Sequence, residues 1–386
     1  MDKRVYFLMI VSFVIGMVEL IISGLLDLIA EDMNVTLGQA GFLITIFSLI
    51  FAIASPILLF LTSNIERKRL TLISLCIFLI GNIVTLFSPT YSILFLGRVI
   101  SATSGALLII LCLVMAPTLV RPQYRGRAIG IVSMGVSGSL VLGVPIGLVL
   151  GNTFGWRAPF LMITILTILS IIGVYYLMDR VAPKPAIGLK EQLQTLKQKK
   201  ILFAQTTTFL YMTGHTVLYA YLVPFLNETM GIQGTLVSIV FFVFGVAAVS
   251  GGGIGGTLAD LYGSRRTAVI GIILFVITVF SIPYTTFALP VFLGGVIIWG
   301  ILSWAITPAV QSYLIQKSPQ NADIQQSLNN SALHFGIAFG SFIGGIIIER
   351  TTVEDNAMVG SLFILLSLGT AFAAFISKSR TKAQVP

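Results

Sequence analysis

Long apolar runs dominate this sequence. A helix that crosses a bilayer needs about 20 mostly apolar residues, and only 10% of the residues are charged, against about 25% in soluble domains. The runs are too long for barrel strands, so we predict an all-α membrane protein with 12 transmembrane helices. The predicted spans are 5–29, 40–62, 70–88, 91–119, 128–151, 157–178, 201–226, 233–259, 267–286, 289–315, 327–348 and 357–377.

The basic residues set the orientation, because Lys and Arg accumulate in cytoplasmic loops. With the N-terminus inside, every Lys and Arg lies in a cytoplasmic segment except Arg98, Arg157 and Arg350. Both termini are therefore predicted to be cytoplasmic. The net charge of +9 then reflects topology, and we expect a lipid bilayer and no nucleic acid as the partner.

The sequence shows no motif for a disulfide, a metal site, a membrane enzyme or an ATP-driven pump. Cys76 and Cys112 sit in apolar runs with no CxxC pattern, which predicts neither a disulfide nor a metal site. The N-terminal apolar run lacks a small-residue cleavage site and is read as the first span. The chain has two His, no HExxH and no phosphate-binding GxxxxGK[ST], so neither a membrane enzyme nor an ATP-driven pump is indicated.

The chain divides into two similar halves. The longest polar stretch, 179–200, comes after the sixth span and separates a bundle at 1–178 from one at 201–377, with a cytoplasmic tail at 378–386. Glu19 lies 14 residues after the start of span one, and His215 lies 14 residues after the start of span seven. Repeated halves are typical of transporters whose site lies between them near the midplane.

The loop after span eight carries the most specific motif. "GGTLADLYGSRR" resembles the G-x-L-A-D-x-x-G-x-[KR]-[KR] loop of the major facilitator superfamily, at Gly256, Asp260, Gly263, Arg265 and Arg266. Gly256 would let two helices approach closely, and Gly263 would permit a tight turn. Asp260 would pair with a basic residue or a helix N-terminus as a gate latch. The alternative is topogenic charge alone.

The corresponding loop of the first half has diverged. In 62–69, the acidic position of the motif is Ser63 and the turn glycine is Glu66, while Arg67 and Lys68 keep the basic pair. This loop is either a modified latch, with Glu66 as the acid, or topogenic charge.

Spans four and five carry two further resemblances. "FLGRVISATSGA" resembles the R-x-x-x-G pattern of the superfamily, with Arg98 present and Ala102 in place of glycine. The fifth span resembles the glycine-proline motif of drug:proton antiporters at Gly143, Pro145 and Gly147, with Val144 as an extra residue before the proline. Helix packing is the favoured role for these glycines over substrate contact.

Nearly the whole chain is similar to bacterial purine base and nucleoside efflux pumps, which belong to the proton-coupled antiporter branch that also exports sugars and chloramphenicol. The stretches that carry this likeness include "VELIISGLLDLIAEDM", "LGVPIG", "TFGWR" and "DIQQSLNNSALHFGIAFGSFIGG". The resemblance implies the major facilitator fold and a monomer of the bacterial cytoplasmic membrane. It implies a small-molecule substrate and a proton gradient in place of any cofactor.

Glu19 is the leading candidate for proton coupling. It lies about 21 Å along a helix that rises ~1.5 Å per residue, inside a core ~30 Å thick. Arg98 is its candidate partner, since a buried Arg normally pairs with an acid or with carbonyls. His215, at the matching depth of span seven, is a second proton-handling or substrate-binding candidate. The alternatives are a structural Glu19, protonated or ion-paired, and a packing role for His215.

A purine needs aromatic faces for stacking and amide or hydroxyl groups for its edges. Tyr219 could instead be an interfacial aromatic, Gln311 could join helices, and His334 is expected nearer the cytoplasmic side. The candidate substrate-binding residues are Tyr211, His215, Tyr219, Trp304, Gln311, Asn329, Asn330 and His334. The predicted function is proton-coupled purine export by alternating access; sugar or drug export and uncoupled facilitation are the alternatives.

Overall fold

The computed structural model describes residues 2–183 and 189–376 and is helical throughout that part of the chain, apart from turns. Ten helices are long and apolar enough to cross a membrane, and two bent helix pairs bring the number to 12. The predicted twelve-span architecture is thereby confirmed. Residues 184–188 of the predicted linker and the predicted tail at 378–386 lie outside the described residues.

The first six spans are formed by eight helices, because spans one and five are each built from two segments. Thr36 begins the second span with a capping box, in which its hydroxyl accepts from the Gln39 N–H and the Gln39 side chain accepts from the Thr36 N–H. The helices are α1 (Lys3–Leu20) and α2 (Ile22–Met33), α3 (Leu37–Leu61), α4 (Arg67–Leu86), α5 (Tyr91–Met115), α6 (Arg125–Gly138) and α7 (Val144–Phe154), and α8 (Arg157–Leu177).

A short helix, α9 (Leu189–Thr195), lies in the linker and packs against α3 and against the eleventh span. Gly263, with φ +89°, makes the turn between the eighth and ninth spans, as its place in the motif predicts. The last six spans are α10 (Lys199–Tyr219) and α11 (Leu222–Met230), α12 (Thr235–Tyr262), α13 (Ser264–Ser281), α14 (Leu289–Lys317), α15 (Ala322–Arg350) and α16 (Asp355–Ile376).

Spans one and seven, expected as continuous runs, are broken at equivalent places. The chain bends by 46° between α1 and α2 and by 45° between α10 and α11. At the first break the Ser23 hydroxyl donates to the Leu20 carbonyl at 2.8 Å. At the second break Pro224 has no N–H for the Ala220 carbonyl four residues earlier, which favours a break there. Broken spans free backbone groups near mid-membrane, where they are tolerated beside protein or a cavity.

Two clusters of buried apolar side chains form the interior. One is built mainly from the first six spans and the other mainly from the last six. Tyr221 of the second half packs in the first cluster, while Leu140 and Val144 of the fifth span pack in the second. The two halves therefore share an interface in which side chains of each are buried by the other.

The fifth span contains a π-helical turn at Ser139–Gly143, directly before Val144 and Pro145. A β-carbon added at Gly143 would meet Met17, and one added at Gly147 would meet Ile21. The glycines therefore form the surface against which the first span packs, which is the favoured role in the sequence analysis.

Candidate functional site

Glu19 and His334 face each other across the interface between the two halves. The Nδ1 atom of His334 lies 3.4 Å from Oε1 of Glu19, and their side chains are 6% and 13% exposed, respectively. Glu19 sits one residue before the end of α1, at the break in span one. His334 Nδ1 has no hydrogen-bond partner among the described residues. A proton on either group would therefore alter the attraction between the halves.

His334 is deeper than the sequence suggested. Its ring lies 4.4 Å, centroid to centroid, from the ring of Phe51 on α3. The expectation of a shallow position near the cytoplasm is wrong, because the contact with Glu19 places His334 at the depth of that residue. The helix begins at Ala322, and 12 residues of helix advance about 18 Å along the axis to His334.

Arg98 is fully buried and binds the backbone beside Glu19. Its Nη1 donates to the Val18 carbonyl at 2.7 Å, and its guanidinium lies 4.1 Å from the centroid of the Phe47 ring. It forms no ion pair with Glu19 within 4.0 Å in the described residues; the nearest basic group in that range is His334. Nε and Nη2 of Arg98 have no hydrogen-bond partner there, so two buried donors are left free.

His215 belongs to an aromatic cluster inside the second half. The indole Nε1 of Trp299 donates to His215 Nδ1 at 3.1 Å. The His215 ring stacks on Tyr219, with centroids 5.1 Å apart, and on Phe244, at 5.9 Å. A partnered imidazole within packed rings fits a packing role, and Trp299 fixes which ring nitrogen is the acceptor.

The two predicted tyrosines differ in how their hydroxyls are used. Tyr211 is fully buried, and its hydroxyl bonds to the Thr307 hydroxyl at 2.6 Å. The Tyr219 hydroxyl is buried and makes no direct hydrogen bond among the described residues, and Ser23, at the break in span one, is the polar side chain that acts on it. Because Tyr219 is 7% exposed and packs on Trp299, it is a core residue and not an interfacial aromatic.

Asn329 joins helices α10 and α15. Its Nδ2 donates to Gln205 Oε1 at 3.0 Å and to the Thr208 hydroxyl at 2.7 Å. Gln205 Nε2 in turn donates to the Gln325 carbonyl at 3.2 Å. The sequence analysis did not single out Gln205, Thr208 and Gln325, although amides in an apolar span were the signal that identified Asn329.

The remaining substrate candidates are half-buried. Asn330 forms no hydrogen bond within the described part of the chain, and Trp304 packs against the core of the second half. Gln311 and Asp260 line a cavity of about 300 Å³ between α12 and α14.

The outer ends of the two halves are in contact. Asn227 Nδ2 donates to Asp27 Oδ2 at 2.7 Å, and the Ser341 hydroxyl donates to the Gly41 carbonyl at 2.9 Å. Farther out, the Thr36 hydroxyl donates to Glu349. These contacts close the extracellular side, and the sequence analysis named none of them.

The loop after span eight differs from its prediction in two respects. A β-carbon at Gly256 would meet nothing within 4 Å, so Gly256 is not the close-packing glycine; Gly255, one residue earlier, lies against the Ala305 backbone. One residue turns a helix by about 100°, which moves the contact from one position to the other. Asp260 forms no ion pair with Arg265 or Arg266 in this conformation, and Arg265 lies 5.6 Å from the Tyr313 ring centroid.

The diverged loop of the first half is organised by Glu66. Its carboxyl accepts from the N–H groups of Lys68 at 2.8 Å and Arg69 at 2.9 Å, which caps α4, and from Val181 N–H at 2.9 Å. Glu66 therefore ties the segment after span six to the start of span three. Burial raises the pKa of Glu66, but these backbone donors outweigh it and lower the pKa below its usual value.

The stretch "TFGWR", after the fifth span, joins helix ends on the outer side of the first half. Trp156 Nε1 donates to Asp32 Oδ2 at 2.9 Å, and Arg157 donates to the same oxygen at 2.7 Å and to the Ser88 carbonyl at 2.9 Å. The Gly-Trp-Arg segment therefore joins the ends of spans one, three and six.

The sequence model of the Major Facilitator Superfamily matches this chain over residues 8–341 and again over residues 206–384. The chain is 32% identical over 377 residues to "Uncharacterized MFS-type transporter YbcL" of Bacillus subtilis (strain 168), and the match covers 98% of this chain and 97% of that protein. It is 23% identical over 389 residues to "Probable sugar efflux transporter" of Mannheimia succiniciproducens, covering 99% and 96%, respectively.

Among solved structures, a bacterial homolog of the human lysosomal transporter Spinster, in an inward-facing and occupied conformation, superposes with a TM-score of 0.81 at 16% identity. The match covers 97% of this chain and 96% of that chain and shows a shared fold. Together with the family match over most of the sequence, this identifies a multi-span secondary transporter of the membrane and not an enzyme: the chain belongs to the major facilitator superfamily.

Proposed function

We propose that this protein is a proton-coupled exporter that works by alternating access between the halves 1–178 and 201–377. The observation that carries the proposal is the Glu19–His334 pair. One titratable group comes from each half, and the two meet at 3.4 Å in a site largely shielded from solvent.

The number of protons on this pair changes the force between the halves. With one proton shared, a carboxylate faces an imidazolium, or a neutral acid faces a neutral imidazole, and both arrangements are attractive. A second proton leaves an imidazolium beside a neutral acid, and loss of both protons leaves a buried carboxylate beside a neutral imidazole, so the attraction across the interface is lost. Proton uptake and release at Glu19 would therefore bias which side of the protein is open.

Arg98 would contribute a positive charge next to the Glu19–His334 pair. It is held on the Val18 carbonyl, one residue from Glu19, and keeps two donors free. We assign it a role in either proton coupling or substrate binding, since a ligand with a carbonyl or ring nitrogen could accept from Nε and Nη2. His215, whose Nδ1 is already occupied by Trp299, is a secondary coupling candidate.

A purine base or nucleoside is the substrate class we propose. The free donors of Arg98 and the free hydroxyl of Tyr219 would bind its heteroatoms, and Trp304 and Asn330 would supply a ring face and an amide. A sugar is the second candidate, because a relative over the full chain is named a probable sugar efflux transporter and the same polar groups can bind hydroxyls.

The test uses inverted membrane vesicles with and without a proton gradient. We expect gradient-driven uptake of labelled hypoxanthine, adenine, guanine or a nucleoside above that of a sugar or chloramphenicol. Downhill flux that ignores the gradient would remove the antiport claim and leave a facilitator. Preferred uptake of a sugar or a drug would transfer the substrate assignment to that class.

Two variants locate the coupling group. Glu19→Gln keeps the shape and hydrogen-bonding capacity of the side chain but cannot titrate, so exchange should persist while uphill transport is lost. Glu31→Gln is the matched control, since Glu31 is exposed at the outer end of the same span. Normal uphill transport by Glu19→Gln would exclude Glu19 as the coupling residue.

A further inference from the structure

The contact between Asp27 and Asn227 leaves two acceptor oxygens unpaired, and a proton on Asp27 would pair them. Asn227 Nδ2 donates to Asp27 Oδ2 at 2.7 Å, across the outer interface of the two halves. Oδ1 of Asp27 and Oδ1 of Asn227 are both buried and both lack a partner among the described residues. Two buried acceptors without a donor are costly, because neither recovers the hydrogen bond it makes with water.

One proton on Asp27 would correct this arrangement. A carboxylic acid and a primary amide are complementary: the amide N–H donates to one carboxyl oxygen, and the acid O–H donates to the amide oxygen. With Asp27 ionised, the amide nitrogen is the one donor atom for three acceptor oxygens, and a charge remains in a partly buried interface. The closed contact therefore favours the protonated acid, and an open, hydrated gate favours the carboxylate.

We propose that Asp27 and Asn227 form a proton-operated latch on the extracellular gate. A proton from the outer solution binds Asp27, the acid–amide pair forms, and the outer ends of the halves stay together. When the gate reopens, the proton returns to the outer solution. This proton regulates the gate and is distinct from one carried by the Glu19–His334 pair.

The ionisable surroundings of Asp27 are sparse. Its helix packs against α1, α3, α7 and α11. Helices α3 and α7 carry no ionisable side chain, and α11 contributes Glu228, whose negative charge acts on Asp27. The ionisable groups of α1 and α2 besides Asp27 are Lys3, Arg4, Tyr6, Glu19, Glu31 and Asp32.

No cation is bonded to the Asp27 carboxyl in the part of the chain that the structure describes. Trp156 and Arg157 both donate to Asp32, so Arg157 is not available to Asp27. Among the described residues, Asp27 forms no salt bridge within 4.0 Å, and its one hydrogen-bond donor is the neutral Asn227 amide. A proton is therefore the positive charge that can neutralise it when the gate closes.

The test measures the outer gate directly, without substrate. Spin labels at Thr90→Cys and Gln233→Cys, exposed positions on opposite halves, would report the outer separation in the full chain. The native Cys76 and Cys112 are first replaced by serine and alanine. We expect the closed population to grow as the outer pH falls, by up to about tenfold in the closed-to-open ratio per pH unit for one linked proton.

Three variants then test which residue causes the pH response of the outer gate. Asp27→Asn can form a reciprocal amide pair with Asn227 without a proton, so the gate should stay closed and lose its pH response. Asn227→Asp should keep the response and move it to higher pH, because two carboxyls can share one proton. Glu228→Gln, which removes the neighbouring charge, should retain the response.

Each contrary result overturns the latch. A separation that ignores pH in the parent protein, or an unchanged pH response in Asp27→Asn, would exclude it. The same labels in Glu19→Gln separate this proposal from the proposed function: the latch predicts that the pH response survives there. Loss of the response in Glu19→Gln would assign the gate's pH sensitivity to the Glu19–His334 pair instead.

Discussion

Adding one methyl group should have different effects at two adjacent glycines of the eighth span. Gly255 lies against the backbone of Ala305, whereas a β-carbon at Gly256 would enter open space. We expect Gly255→Ala to force α12 away from α14 and to destabilise the protein by about 1–3 kcal/mol. Gly256→Ala is the control and should be neutral or slightly stabilising, since alanine favours a helix. Thermal unfolding in detergent measures both; equal losses would contradict the assigned contacts.

Glu66 gives the cytoplasmic side an acid-sensitive connection. Because the pKa of Glu66 is lowered in the folded protein, its contribution to stability is full above its unfolded pKa of about 4.3 and is lost as the pH falls through the folded value. Glu66→Ala removes the cap of α4 and the bond to Val181, at a cost of about 1 kcal/mol near neutral pH.

The measurement is the unfolding midpoint of the parent and of Glu66→Ala as the pH is lowered. The two curves should converge in acid, where the parent's carboxyl becomes protonated. A constant difference at every pH would show that the carboxylate charge contributes nothing. Ser63→Ala in the same loop is the control, because Ser63 makes no side-chain hydrogen bond in the described structure.

At the scale of elements, the amide cluster of Asn329 separates a packing role from a binding role. Asn329 bonds to two side chains of α10, whereas Asn330 bonds to none of the described residues. Asn329→Ala should destabilise the protein by about 1–3 kcal/mol, because Gln205 and Thr208 lose a buried partner. Asn330→Ala should leave unfolding unchanged and lower transport. The reverse pattern would exchange the two assignments.

The helices themselves follow from composition, while their breaks and partners do not. Apolar length was enough to locate twelve spans, and the depth of Glu19 followed from helical rise. The bend after Leu20 has no proline, and the Ser23–Gly24 pair beside it does not by itself predict a bend, because Ser250 and Gly251 lie within the unbroken α12. The partner of Glu19 depended on the register of α15 against α3, which is set by packing between halves and is invisible to local periodicity.

At the scale of the whole molecule, the alternating access that we propose requires the outer contacts to open in each transport cycle. The Thr36 hydroxyl donates to Glu349, one residue on each half. Cysteines at these two positions, joined by a short bifunctional thiol reagent in a background without Cys76 and Cys112, should stop transport. Either single-cysteine variant treated with the same reagent should keep its activity. Normal transport with the two ends fully linked would contradict alternating access.

The π-helical turn at Ser139–Gly143 sets which face of the fifth span lies against the first span. A π-helical turn closes through one more residue than an α-helical turn, so it shifts the face that α7 presents relative to that of α6. The glycines on either side, Gly135 and Gly147, consequently still point at the first span. An uninterrupted α-helix turns about 100° per residue and would leave these two glycines on faces about 120° apart, so the π-helical turn acts as a phase correction that keeps both ends of the span against the same neighbour.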